Sequence, residues 1–276
     1  MKSFVFIIFL FTQFVSAQNK RFIYQYTFIP DSTNKADIIK DFMFLDRSGD
    51  RSLFYSRYKF AEDSTSIEEG KKGQFYIPKA DIIYRVEKNN DKVFLLTNDY
   101  GLGKIKVEDD RKINWEIKPD KQKIGAYNAQ KAITDFGGRK WIAWFTTDVP
   151  IQDGPYKFSG LPGLIVKMED TTGSHMYELT GNKNLSGETK YPDLNSGKKT
   201  LPLTQGRFKE LFILYRKDPV ADMRKLKMEG RIIDYTDSSG NFHTAEQIVK
   251  DAEKLITERI KKDNNIIEID LLKAVQ

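Results

Sequence analysis

The stretch Tyr127-Asn128-Ala129-Gln130-Lys131-Ala132-Ile133-Thr134-Asp135-Phe136-Gly137-Gly138-Arg139-Lys140-Trp141-Ile142-Ala143-Trp144-Phe145-Thr146 decides the fold. Two runs carrying β-branched and aromatic residues flank a Gly-Gly pair. Such runs favour extended backbone, and two glycines supply the positive φ that a two-residue hairpin turn needs. The stretch predicts strands over Tyr127–Phe136 and Lys140–Thr146, folded back on each other. The same texture recurs on both sides of it. Ile23–Ile29 alternates, with Tyr24, Tyr26 and Phe28 on one face and Gln25 and Thr27 on the other. Ile38–Leu45 is a second strand, ended by Ser48-Gly49-Asp50. Ile82–Glu87 and Val93–Thr97 flank Asn89-Asn90-Asp91. Ile113–Lys118 runs into a Pro119-Asp120 turn, and Leu164–Asp170 and His175–Thr180 flank Thr171-Thr172-Gly173. Strands joined by turns this short imply an antiparallel meander.

The texture changes after residue 181. Residues 182–206 carry Asn, Ser, Gly, Pro and Lys without periodicity and read as a surface loop. Gly206–Lys217 places Phe208, Leu211, Phe212 and Tyr215 at helical spacing, and Asp218-Pro219 stops it. Thr244-Ala245-Glu246-Gln247 matches a capping box. The helix it opens carries Ile248, Ala252, Leu255, Ile256 and Ile260 on one face. A helix with one apolar stripe needs a surface to cover, and the preceding sheet offers one. The expected class is α+β: a large antiparallel sheet with C-terminal helices packed on one face. The chain divides into a signal segment, 1–17, and a single domain, 18–276, mainly β to residue 181 and mainly helical from 207.

Met1–Ala17 reads as a secretory signal, with Lys2, an apolar run over Phe4–Phe11 and Val15-Ser16-Ala17 as the cleavage site. The apolar run is shorter than a spanning helix needs, so the mature chain is expected not to span a membrane. With no cysteine in the sequence, disulfides, thiolate nucleophiles and thiolate metal sites are excluded. The net charge of +6 comes from basic residues spread along the chain, which points away from nucleic acid and allows an anionic surface as partner.

Gly160-Leu161-Pro162-Gly163-Leu164-Ile165 is the most specific motif. Pro at the second position and Gly at the third of Leu161–Leu164 suit a type II turn. Upstream, Gly154-Pro155-Tyr156 forms another stiff bend. Two readings of this rigid, weakly polar loop stand side by side. In one, Leu161 and Leu164 plug the core. In the other, the turn presents Gly160 to Ile165 to a ligand or partner.

The hexapeptide resembles the signature of the GLPGLI family, secreted Bacteroidetes proteins of unknown function. Trp115, Ile124-Gly125-Ala126-Tyr127, Gly138-Arg139, Ala143-Trp144-Phe145, Pro150-Ile151 and Gly154-Pro155 follow the order of that family's central region. Asn264-Asn265-Ile266-Ile267-Glu268 resembles a second element, with Ile266 where proline is expected. Ala129 stands where many members carry cysteine. The order of a Trp-rich strand, a Gly-Leu-Pro-Gly turn and a hairpin also resembles the periplasmic lipoprotein-carrier class, which implies that the antiparallel sheet is curved and half-barrel-like, wrapped around helices with an apolar cavity. The resemblance makes Tyr24, Tyr26, Phe28, Trp141, Trp144 and Phe145, with Ala143, a candidate apolar face. An ordinary packed core would use the same residues. It also implies an apolar small molecule or an outer-membrane protein, such as a TonB-dependent receptor, as partner.

Catalytic patterns are sparse. The histidines are His175 and His243. Ser174 beside His175 is no triad, because neighbouring strand residues point to opposite faces. The spacing of the two histidines suits no zinc site, and no phosphate loop, calcium loop or dinucleotide fingerprint is present, so neither metal nor cofactor is expected. Glu62-Asp63, Glu68-Glu69, Asp109-Asp110 and Glu169-Asp170 read as solvated loop charge. Asp31-Ser32-Thr33, Asp63-Ser64-Thr65 and Asp170-Thr171-Thr172 resemble short O-glycosylation acceptors. The sequence therefore leans toward a non-catalytic periplasmic or surface binding protein. A hydrolase working with carboxylates alone, or a purely structural surface protein, is the alternative.

Overall fold

The computed structural model describes residues 19–275 apart from 75, 77, 78, 99, 101, 102, 195, 196 and 238, so the expected signal segment lies outside the described residues. The strands form two antiparallel meanders. The first runs β1 (Lys20–Phe28), β2 (Ile39–Ser48), β3 (Arg51–Ser56), then α1 (Arg57–Lys71), β4 (Arg85–Asn89), β5 (Lys92–Thr97) and β6 (Ile105–Asp109). The second runs β7 (Glu116–Ile124), β8 (Tyr127–Phe136), β9 (Arg139–Thr146), β10 (Leu164–Asp170) and β11 (His175–Asn184). Pairing of β1 with β11 joins them, together with a later strand β12 (Leu201–Thr204), into one open sheet whose order is β12-β6-β5-β4-β3-β2-β1-β11-β10-β9-β8-β7. The class is α+β with a large curved sheet.

The hairpin that opened the reading is present. Gly137 and Gly138 both hold positive φ, 63° and 78°, as a type I′ turn requires, and Gln130–Phe136 pairs residue by residue with Arg139–Phe145. Both glycines have a second reason to be there. A Cβ on Gly137 would lie 3.0 Å from Glu268 Cα, and one on Gly138 would lie 2.9 Å from the Asp270 backbone nitrogen. The hairpin turn is thus also the seat of the C-terminal segment.

Several expectations are corrected. The 182–206 segment ends in β12 (Leu201–Thr204), which pairs parallel with β6, so the sheet is mixed at that edge. The strand expected over Ile113–Lys118 lies later, and β7 runs through Pro119. This is possible because β7 is an edge strand whose register shifts between Ile117 and Lys121. Helix α1 has no apolar stripe to announce it. Ser56 caps it by accepting from the Lys59 N–H, and it buries polar side chains, Lys59, Glu62 and Asp63. Glu62 accepts from the backbone N–H groups of Lys79 and Ala80 at 2.6 and 2.9 Å. The carboxylates read as solvated charge are buried at Glu62, Asp63, Asp109 and Asp170.

Helix α2 (Gln205–Lys217) buries Phe208 and Phe212, as the spacing predicts, and is followed by α3 (Ala221–Met228) and a small hairpin of β13 (Tyr235–Thr236) with β14 (Phe242–His243). Helix α4 (Ala245–Lys262) starts at Thr244, whose hydroxyl accepts from Gln247 N, while the Gln247 side chain turns to Asp251 instead of reaching back. Its stripe does not close on the sheet. Val249 is its buried residue, and Leu255 stays 69 % exposed. The chain ends through Asn264–Ile269 and α5 (Asp270–Lys273), which buries Leu271. Among the described residues no helix is long and apolar enough to cross a membrane.

Candidate functional site

The loop between β9 and β10 is built into the core. Tyr156, Phe158, Leu161, Leu164 and Ile165 are all buried. Each fully buried side chain of this kind contributes roughly 1.5–3 kcal/mol. The Pro162 turn is not type II. Gly163 N donates to Leu161 O at 2.7 Å, closing a three-residue turn, while Leu164 N crosses to Val149 O at 3.1 Å. Glycine is needed at 163 for approach, because a Cβ there would meet Thr146 O at 2.0 Å. Pro155 O accepts from Phe158 N at 3.1 Å, so Gly154-Pro155-Tyr156 does lie in a bend, with Tyr156 at the costly φ of 53°.

Two buried lysines clamp this loop. Lys88, from β4, donates to the carbonyls of Gly154 at 2.8 Å and Phe158 at 3.2 Å, and lies 2.6 Å from Asp153. Burial pushes its ammonium pKa down, with Asp153 opposing. Lys157 donates to Asp109 at 2.7 Å and Glu268 at 2.5 Å. Tyr156 Oη also donates to Glu268, at 2.6 Å, and Arg111 bridges Asp109 and Glu268 at 2.5 and 2.6 Å. Burial alone would raise the two carboxyls. Arg111 and Lys157 reverse this, holding Asp109 down at about 2 and Glu268 below its ordinary range.

A second clamp holds the C-terminal segment. Arg139 donates to the carbonyls of Asn265, Ile266 and Ile267 and pairs with Asp170 at 2.9 Å. His175 sits between Tyr26 Oη at 2.7 Å and Asn265 O at 2.8 Å. The carbonyl needs a donor, so Nε2 carries the proton and Nδ1 accepts from the tyrosine. Burial and the Arg139 charge push His175 down to about 3. His243 stands apart in β14, 3.1 Å from Asp237.

Above these clamps lies a cleft of about 550 Å³ between the sheet and the helices. One wall is Tyr26, Phe28 and Tyr84 from the sheet side. The facing wall is Phe208 of α2 with Leu255 and Arg259 of α4, and the floor includes Tyr156, His175 and Glu268. Of the candidate apolar face, Tyr26 and Phe28 line this cleft. Tyr24, Trp141, Ala143 and Phe145 lie in the closed core, and Trp144 points to the other face of β9, near Lys131. The motif residues Gly160–Ile165 do not line the cleft; the bend residue Tyr156 does. The sequence offered no sign of Asp41 and Asp81, which line a smaller pocket beside the cleft. Burial raises both carboxyls above their ordinary range. No group of three or more His, Asp or Glu side chains among the described residues is arranged to hold a metal ion.

The clamped loop is also what comparison with known proteins recognises. Residues 137–167 match a family described as "Protein of unknown function (Porph_ging)". The Porph_ging match begins at the Gly137-Gly138 turn, takes in Arg139 and Lys157, and ends just past the Pro162 turn. No curated protein matches the chain. Two solved structures of PNGF-II, in the C2 and P21 space groups, are similar. The first has 20% identity and a TM-score of 0.50, and covers 71% of this chain and 32% of PNGF-II. The second has 20% identity and a TM-score of 0.48, and covers 71% and 33%. The chain thus spans about a third of the length of PNGF-II. At this identity the likeness is one of fold.

Proposed function

We propose that the protein is an exported, non-catalytic binding protein of the GLPGLI type, active in the periplasm after removal of residues 1–17. Its ligand is an apolar or amphipathic small molecule held between α4 and the sheet. One observation carries the reading: Leu255 of an amphipathic helix stays 69 % exposed while lining an aromatic-walled cleft. An apolar stripe left open toward aromatic rings gains by burying a guest. The charged rim, Asp37, Glu258, Arg259 and Lys262, suits a polar headgroup. The motif loop supports the floor of the cleft through Tyr156 and Glu268, so its role is to hold the site's shape.

Native mass spectrometry of the chain from residue 18 onward, purified from a bacterial envelope, tests this. Excess mass that organic solvent extracts is the expected result. A bare polypeptide mass, together with no uptake of the fluorescent probe 1-N-phenylnaphthylamine, overturns it.

The raised carboxyls of Asp41 and Asp81 support a second reading, a hydrolase working through two acids. Its test is turnover of glycan or peptide substrates that both Asp41→Asn and Asp81→Asn abolish.

A further inference from the structure

Helices α3 and α4 and the hairpin between them form an arm that is held to itself more than to the rest of the fold. Lys227 of α3 pairs with Glu246 of α4, Asp234 accepts from Ala245 N at 2.7 Å, and Arg224 reaches Glu253 at 3.4 Å. Among the described residues, every hydrogen bond and ion pair made by 221–262 ends within 218–264. The buried apolar residues of the arm are Val220 and Val249, and neither belongs to the main core.

The two ends of the arm meet at one joint. Arg216, near the end of α2, donates to Asp263 O at 2.6 Å and lies 3.3 Å from the Asp263 carboxylate. The entry at Asp218-Pro219 and the exit at Asp263 are thereby tied together. Just past the joint the chain is fastened to the sheet side again, with Asn265 N donating to Pro30 O at 3.0 Å and Asn264 Nδ2 to Asp31 at 2.7 Å. A unit attached at one joint, with no share in the core, can turn as a rigid body at little cost. This arm carries one wall of the cleft. Leu255 and Arg259 of α4 line it together with Tyr26, Phe28 and Asp81 from the other side. Burial raises the Asp81 carboxyl and the Arg259 charge opposes the rise, yet the two groups form no ion pair.

We infer that the arm is a hinged lid, which turns about the Arg216–Asp263 joint to close α4 over the ligand, burying Leu255 and bringing Arg259 onto Asp81. The lid acts on the ligand proposed for this cleft and so rests on that reading. With Leu255 69 % exposed, the structure shows the open form. A guest between the walls supplies the apolar contact that favours closing, and the Arg259–Asp81 pair latches it.

Distances between nitroxide labels on the full mature chain test this, and a sequence without cysteine gives no background labelling. Lys254→Cys on α4 with Lys140→Cys on β9 spans arm and body, while Lys92→Cys with Lys140→Cys lies within the sheet; all three positions are exposed. Without ligand, the arm–body distance is expected to be broader than the sheet distance. Saturating 1-N-phenylnaphthylamine is expected to shift and narrow it and to leave the sheet distance unmoved. Arg259→Gln and Asp81→Asn are each expected to lower the closed fraction about two- to fivefold, the worth of one exposed ion pair, and the double variant no further. An arm–body distance as narrow as the sheet distance without ligand overturns the lid, and so does uptake of the probe with no shift. A broad arm–body distance with no uptake supports the hinge and refutes the apolar ligand.

Discussion

Lys157 and Glu268 form a buried ion pair, 2.5 Å from Nζ to Oε1, across 111 positions of sequence. It fastens the loop after β9 to the segment just ahead of α5. Because Tyr156 and Arg111 share the same carboxylate, breaking the pair strands charges inside the protein. Lys157→Met is expected to cost about 3–5 kcal/mol in urea unfolding. The double variant Lys157→Met, Glu268→Met is expected to cost less than the two singles summed. A single-variant loss below about 1 kcal/mol would show that the pair is not a clamp.

Within the hexapeptide, Gly163 and Pro162 are expected to differ sharply. Gly163→Ala drives a Cβ to 2.0 Å from Thr146 O and forces β9 and the loop apart, so a loss above about 3 kcal/mol or insoluble protein is expected. Pro162 is exposed, and Pro162→Ala is expected to cost under about 1 kcal/mol. Equal melting temperatures for the two variants would contradict this ordering.

Acid stability should fall in two stages. His175 is held at about 3 in the fold, against about 6.5 when unfolded. The unfolded chain therefore binds the extra proton between these values. Stability is complete above about 6.5 and falls by roughly 1.4 kcal/mol per unit as the pH drops toward 3. Asp109, depressed to about 2, adds its loss below about 4. His175→Gln keeps a donor toward Asn265 and should flatten the slope between pH 5 and 6.5. A slope identical to wild type in that window would refute the assignment.

At the cleft, Leu255→Asp should separate binding from folding. The position is exposed, so unfolding free energy is expected to move by less than about 0.5 kcal/mol. Uptake of 1-N-phenylnaphthylamine is expected to fall at least tenfold, because a carboxylate then faces the aromatic wall. Unaltered uptake would place the ligand elsewhere.

Much of the sheet was legible. Period-two alternation and Gly-Gly, Asn-Asn-Asp and Thr-Thr-Gly turns are local signals, and they located β1, β2, β4, β5 and β8 to β11. Helices α2 and α4 were legible from spacing and caps. Helix α1 was not, because polar contacts to residues far from it hold it in place. Strands β3, β6 and β12 were missed as well, being short strands of 6, 5 and 4 residues. Alternation placed Tyr26 and Phe28 on one strand face, and both line the cleft. His175 and Glu268 were not assigned to it, since nothing local says which long-range partner satisfies a polar group.

The sequence by itself determined the strand-rich first two thirds, the hairpin at Gly137-Gly138, the apolar stripe of α4 and the absence of thiol chemistry. All of these follow from the identity of residues within one or two turns of each other. Only the tertiary structure decided that Asp109 and Glu268 are buried, that Gly163 is needed by the backbone of Thr146, and that the stripe of α4 stays open over a cleft. Burial and approach depend on what arrives from the far end of the chain, and a linear pattern of residue types carries no record of that meeting.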